Sequence, residues 1–238
     1  MSRGVHVKRL IIAVVSLAAL SASTLVVSPS AFADTKSKSV KSAKIPSIKC
    51  SSTRAVGHAP QSVAQADKPF KRLPKTFTFV TNCGNIVVTT VGSKAPITIT
   101  QLATLSRSGY FNKSLCHRLT TQGSFVLQCG DPTATGTGGP NFTYRDENLP
   151  DQKSVNYPAG TVAMLNSGPG VNGEGTNGSQ FFFVFADTTL LPRYTIWGNV
   201  TQGLDIVRAI AKAGVKGGGA DGAPNQPISI NRVMVSNN

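Results

Sequence analysis

The fold of this chain turns on Phe125-Val126-Leu127-Gln128-Cys129-Gly130-Asp131. An apolar run interrupted by one amide and closed by Gly-Asp is how a short buried strand ends in a turn. Side chains two apart on a strand share a face. Val126 and Gln128 therefore point together, while Leu127 and Cys129 point the other way, as does Phe125 unless it lies in the preceding loop. Upstream stands Cys116-His117-Arg118, with an arginine inside an apolar run. Downstream stand Met164-Leu165-Asn166 and Thr176-Asn177-Gly178-Ser179-Gln180-Phe181-Phe182.

Working outward, short strand-like runs dominate: 77–81, 86–91, 115–120, 125–128, 161–165, 181–185, 195–200 and 228–235. Eight such runs separated by turn residues predict a sandwich or a closed barrel. Two segments break the pattern. Residues 96–107 open on Pro96, carry Ile97, Leu102 and Leu105, and meet Gly109 just past their end, which predicts a short helix. Residues 203–213 place Leu204, Val207, Ile210 and Ala211 on one stripe with Gly214 as the stop, which predicts another. Two amphipathic helices would cover the open ends of a barrel. The glycine-rich stretches 136–139, 168–178 and 217–222 read as surface loops.

The first third of the 238 residues does not resemble core. Arg3, Lys8 and Arg9, an apolar run from Leu10 to Leu20, and Ala31-Phe32-Ala33 before Asp34 read as a secretory signal over residues 1–33. An uncleaved anchor is the alternative, since residues 10–27 are just long enough to cross a bilayer. Either way the rest of the chain is expected outside the cytoplasmic membrane, secreted or associated with the cell envelope. Residues 34–76 hold ten Lys or Arg against Asp34 and Asp67 and few large apolar residues. That composition predicts a disordered basic linker. The net charge of +14 thus divides as +3 in the signal, +8 in the linker and +3 in residues 77–238. A domain so nearly neutral is not a nucleic-acid binder. The linker is read as a solvated spacer, with weak non-specific contact to anionic envelope polymer or lipid as its functional alternative.

Conventional catalytic groups are scarce. His117 is the one candidate base in residues 77–238, and its apolar strand marks it as structural. Ser179 lacks the G-x-S-x-G context of a nucleophile elbow. Neither a Walker-type phosphate loop nor H-E-x-x-H occurs. Asp146, Glu147 and Asp151 fall together on a loop and read as solvated. Cys50, Cys83, Cys116 and Cys129 form no C-x-x-C pair, so no metal site is expected. No cofactor is called for.

The quoted segments resemble the two signature regions of cyclophilins, peptidyl-prolyl cis/trans isomerases. Those regions are a Phe-His-Arg strand continued by F-x-x-Q-x-G-D, and an M-A-N-A-G…T-N-G-S-Q-F-F run. The resemblance extends over about residues 78–235. It takes in Ala95-Pro96, Gly109-Tyr110-Phe111, Gly136-Thr137-Gly138-Gly139, Asp146-Glu147-Asn148 and Trp197-Gly198. It implies a mostly β fold, an eight-stranded closed antiparallel barrel capped by two α-helices, as a domain over residues 77–238. It also implies a monomer acting on X-Pro bonds of proline-containing polypeptides without metal or nucleotide. A proline-binding holdase with little turnover is the alternative.

The chemistry has its own logic. An X-Pro amide rotates over a barrier of about 18–20 kcal/mol because resonance keeps it planar. A catalyst need only bind the twisted amide better than the planar ones. Twisting returns a lone pair to the prolyl nitrogen, and a guanidinium aimed there stabilises only the twisted state, which singles out Arg118. The resemblance adds Phe125 and Gln128 to the catalytic set. It assigns Asn166 and Gln180 to hold a substrate carbonyl through their amides, and Phe125, Val126, Phe182 and Leu190 to an apolar socket for the proline ring. Leu165 and Tyr194 complete the rim. Phe181 and Phe183 are read as core.

The departures are local. Six residues separate Arg118 from Phe125, more than the common family spacing, and the loop after Ser167 is also longer. Val126, Leu165, Leu190 and Tyr194 replace the usual methionine, alanine, tryptophan and histidine. Loss of the indole predicts weak cyclosporin binding with activity retained. An exported chain with four cysteines is expected to carry one or two disulfides. If Arg118 and Gln128 share a face, Cys116 lies with them and Cys129 does not, which disfavours a bridge between the two. The weakly favoured pair is Cys50 with Cys83.

Overall fold

The structure, a computed structural model, describes residues 48–170, 173 and 175–237. The expected signal and the first part of the expected linker, residues 1–47, lie outside the described residues. Among the described residues no helix is long and apolar enough to cross a membrane.

β1 (Thr76–Thr81) and β2 (Gly84–Thr90) form a hairpin. α1 (Pro96–Arg107), β3 (Ser114–Leu115), β4 (Arg118–Thr120), β5 (Val126–Cys129), β6 (Thr161–Met164) and β7 (Phe181–Val184) follow. β8 (Ile196–Gln202), α2 (Leu204–Ala213), β9 (Asp221–Gly222) and β10 (Ser229–Ser236) complete the order. One antiparallel sheet runs β3-β10-β1-β2-β8-β6-β7-β5-β4-β9.

The expected closed eight-stranded barrel is therefore corrected to a curled ten-stranded sheet with two helices. Two differences account for the count. The run 115–120 splits into β3, which pairs with β10, and β4, which pairs with β5. The glycine-rich loop 217–222 contributes β9, which pairs with β4. The ladder does not close on itself, yet only Cys116 and His117 carry the chain from β3 at one end to β4 beside the other. The polypeptide itself spans the seam.

The two faces of the central strands pack differently. Leu127, Cys129, Val162, Met164, Phe181 and Phe183 enter the main core. There Phe79, Phe181, Phe183 and Trp197 meet largely edge to face, with Phe181 and Phe183 centroids 5.4 Å apart, the arrangement ring quadrupoles favour. Val126, Ala163, Phe182 and Val184 form a second cluster with Tyr157 on the opposite face. Both predicted helices are present. α1 starts on Pro96 behind Ala95, which offers no capping side chain. The carboxylate of Glu147 accepts from the Ile97 and Thr98 N–H groups at 3.1 and 2.8 Å instead. Negative charge at a helix N-terminus is favourable, so this loop carboxylate is structural rather than solvated. α2 buries Ile206, Val207 and Ile210 and stops at Gly214.

Residues 48–75 depart from the expected disordered linker. They run over the domain as an ordered strap, although they contain little regular structure. The Cys50–Cys83 disulfide ties the strap to the β1–β2 turn. Ala66 and Gln101 exchange hydrogen bonds at 3.0 and 2.8 Å, and the Phe70 N–H donates to Thr100 Oγ1 at 3.0 Å. Val63 is buried, and the Arg107 guanidinium lies over the Phe70 ring. A covalent tie and polar partners on α1 thus replace the apolar area that this composition lacks.

The disfavoured bridge between Cys116 and Cys129 is also present. Alternation failed as a guide because Cys116 lies outside β4, in the two-residue step between strands. There its N–H bonds to the Ile228 carbonyl at 3.0 Å, continuing the pairing of β3, and its side chain is in the core while Arg118 is on the outer face.

Candidate active site

β4, β5 and β7 are neighbours in the sheet. Arg118 stands opposite Gln128, and Gln128 opposite Phe182. At one strand spacing per step, Arg118 lies about 10 Å from Phe182 on the same face. Val126, one alternation from Gln128, joins them, as the sequence predicts. Leu165, Leu190 and Tyr194 pack against the Val126 and Phe182 side. Phe182 and Tyr194 meet edge to face at 5.6 Å. These side chains form an apolar cluster on the sheet face that carries the guanidinium.

A line of hydrogen bonds fixes the polar edge. Arg118 Nη1 donates to Gln128 Oε1 at 3.2 Å, and Gln128 Nε2 donates to Gln180 Oε1 at 2.7 Å. Gln180 Nε2 donates to the Gly136 and Gly138 carbonyls at 3.0 and 2.8 Å. That loop is in turn wound around buried Asp131, which accepts from Thr133, Gly136 and Gly138 backbone N–H groups. Burial opposes the Asp131 charge, but the Thr133 hydroxyl and these amides outweigh it and hold the carboxyl below its usual range. Gly130 lets the strand end here, since a Cβ on it would lie 2.3 Å from Ser179 O.

On the other side, the Arg118 Nε and Nη2 groups donate to the two carboxylate oxygens of Asp221, each at 2.7 Å. The bond to Asp221 raises the guanidinium above its ordinary value against the effect of desolvation. A guanidinium has five N–H groups. Three have partners here, which leaves one on Nη1 and one on Nη2 available to a substrate.

Three expected roles change on this geometry. Both Asn166 Nδ2 hydrogens have partners, Asp146 Oδ1 at 3.0 Å and the Arg193 carbonyl at 2.8 Å. The Gln180 amide is likewise committed to the loop. Neither side chain is a free donor for a substrate carbonyl, because each braces a segment of the site instead. Phe125 precedes β5, and its ring meets Phe185 at 5.9 Å. It is not packed with the Val126 and Phe182 cluster, as its place on the opposite alternation would have it. A cavity of about 430 Å³ opens beside Gln180, between Gly136–Pro140 and Leu165, Asn166 and Thr176.

Sequence reasoning gave no role to Asp221, Asn156 or Tyr157. Asn156 exchanges hydrogen bonds with the Leu190 backbone at 2.7 and 3.0 Å. The Tyr157 hydroxyl accepts from the Tyr194 N–H at 3.0 Å and donates to its carbonyl at 3.1 Å. Burial pushes the Tyr157 phenol up to about 12, so it keeps the proton it donates. These two residues hold the 190–194 rim. Their partners lie 34 and 37 residues away, beyond any local pattern. His117 is a half-buried ring near Gly136, lowered chiefly by burial against the pull of Asp131.

This outer sheet face thus combines an apolar cluster, a pinned guanidinium and a neighbouring cavity. The chain belongs to the cyclophilin-type peptidyl-prolyl cis-trans isomerases, whose family profile matches residues 76–235. It is 41% identical over 198 residues to the probable peptidyl-prolyl cis-trans isomerase B of Mycobacterium tuberculosis, covering 74% of this chain and 62% of that one. It is 40% identical over 192 residues to the Mycobacterium leprae counterpart, covering 72% and 63%. The chain thus spans a little under two thirds of the length of these relatives. Its fold matches the crystal structure of a Cryptosporidium parvum cyclophilin-type isomerase in the presence of the dipeptide Ala-Pro. The TM-score is 0.57 at 26% identity, covering 68% of this chain and 99% of that one.

Proposed function

We propose that this chain catalyses cis/trans isomerisation of X-Pro bonds in exported polypeptides, outside the cytoplasmic membrane, and so assists their folding. The observation that carries the proposal is the Arg118 guanidinium, pinned on two sides and on the same sheet face as the Val126–Phe182 cluster. That cluster forms the socket for the proline ring. One of the two remaining Arg118 N–H groups donates to the prolyl nitrogen as it regains its lone pair, a partner absent from the planar amide. This differential bond lowers the barrier with no bond broken. Leu165, Leu190 and Tyr194 line the socket wall, and Gln128 accepts one guanidinium N–H. With the Asn166 side chain committed, its backbone is the remaining group at that position for substrate contact.

The exported setting is supported by the basic and apolar start of the chain and by two disulfides, which persist in oxidising compartments. Substrates are proline-containing segments, a reading in keeping with the Ala-Pro dipeptide present with the Cryptosporidium protein. The test is a cis-to-trans assay on a proline peptide. A hydrogen bond to a charged donor is worth about 1.5–3 kcal/mol, so Arg118→Ala should lower kcat/KM by about 10- to 150-fold. Equal rates would overturn the catalytic role.

A further inference from the structure

We propose that Asp221 is a positioning residue for Arg118, holding the guanidinium in the plane in which it meets the twisted amide. This rests on the reading of Arg118 as the catalytic group. The structure is built to bring this carboxylate there. β9 is only two residues long, and its ladder sets Asp221 opposite Thr120 and Gly222 opposite Leu119. Asp221 is therefore the diagonal neighbour of Arg118 on one face, a distance that long side chains bridge. Backbone bonds continue past the ladder, with the Thr121 N–H donating to the Ala220 carbonyl at 2.8 Å. The bend behind β9 is closed by Val215 pairing with Pro224 and by the Lys216 N–H on the Ala223 carbonyl.

The contact is a two-point fork, Nε on one carboxylate oxygen and Nη2 on the other, both at 2.7 Å. Two parallel bonds fix orientation as well as distance. Arg118 has no second acidic partner among the described residues. Without the fork, a half-exposed arginine held only by Gln128 at 3.2 Å would sample many rotamers, and a displacement of about 1 Å at a reacting centre is costly. Each partner's charge also favours the other, and the bond from Arg118 holds the Asp221 carboxyl below its ordinary range. Side chains this exposed add little to stability as an ion pair, so an effect on turnover is separable from an effect on folding.

The experiment is a double-mutant cycle on the full chain with Arg118→Ala, Asp221→Ala and the pair, using the cis-to-trans assay on a proline peptide alongside thermal melts. Asp221→Ala is expected to lower kcat/KM about tenfold at nearly unchanged Tm. In the Arg118→Ala background it should change the rate less than twofold. Asp221→Asn, which keeps one acceptor, should fall between wild type and Asp221→Ala, and it takes the place of the alanine variant should that fail to fold. The inference is overturned if Arg118→Ala is impaired while both Asp221 variants turn over at the wild-type rate. It is equally overturned if the Asp221 loss persists undiminished without Arg118. Wild-type turnover in Arg118→Ala alone would remove the underlying reading together with the inference, a result distinct from the other two.

Discussion

Asp131 shows how far the behaviour of one residue departs from its visibility in sequence. It closes the Gly-Asp turn after β5, yet its work is done by a carboxylate that organises the loop on which Gln180 rests. Its folded pKa is depressed. It therefore contributes stability that is fully present above the unfolded value of about 3.9 and is lost as pH falls through the folded value. Thermal melts should show wild type losing Tm below about pH 4 more steeply than Asp131→Asn. Parallel slopes would contradict this. Val126 and Gln128 were legible because strand alternation has a period of two and both lie inside β5. Asp221 was not, because its partner stands 103 residues away and its own neighbourhood reads as a glycine-rich loop.

At the scale of elements, the pattern-based readings held where an element was continuous and failed where it was interrupted. The helices at 96–107 and 204–213 carry their stop signals in the sequence, and the structure ends them there. The run 115–120 looks like one strand, but it is two with a step between, and the step places Cys116 within reach of Cys129. The strap at 48–75 failed for a different reason. Composition registers the apolar area a segment can bury and is blind to a disulfide or to amide partners such as Gln101 on a helix surface. Replacing Cys50 and Cys83 together by serine should lower unfolding free energy by about 2–4 kcal/mol in urea titrations of the oxidised protein. An unchanged midpoint would show that the hydrogen bonds alone hold the strap.

For the whole molecule, the charge division and the fold point the same way. Eleven of the fourteen net positive charges lie before residue 77 and three after it, and the recognition proposed for the latter part is apolar and directional. The sheet carries two cores, one inside the curl and one on the outer face beside the guanidinium, and the second is the proposed socket. Export predicts that the mature protein recovered from culture medium or envelope fractions begins at Asp34. A mature chain retaining Met1 would favour the uncleaved anchor instead.

The central claim is that Arg118 acts on the twisted amide more than on bound substrate. Its most direct test is NMR exchange spectroscopy of a proline peptide at equilibrium with wild type or Arg118→Ala, recording cis/trans exchange and peptide binding in the same sample. The account predicts that exchange falls by about 10- to 150-fold in the variant while the peptide still binds within a few-fold of wild type. Exchange retained at the wild-type rate, or lost only in proportion to binding, would contradict it.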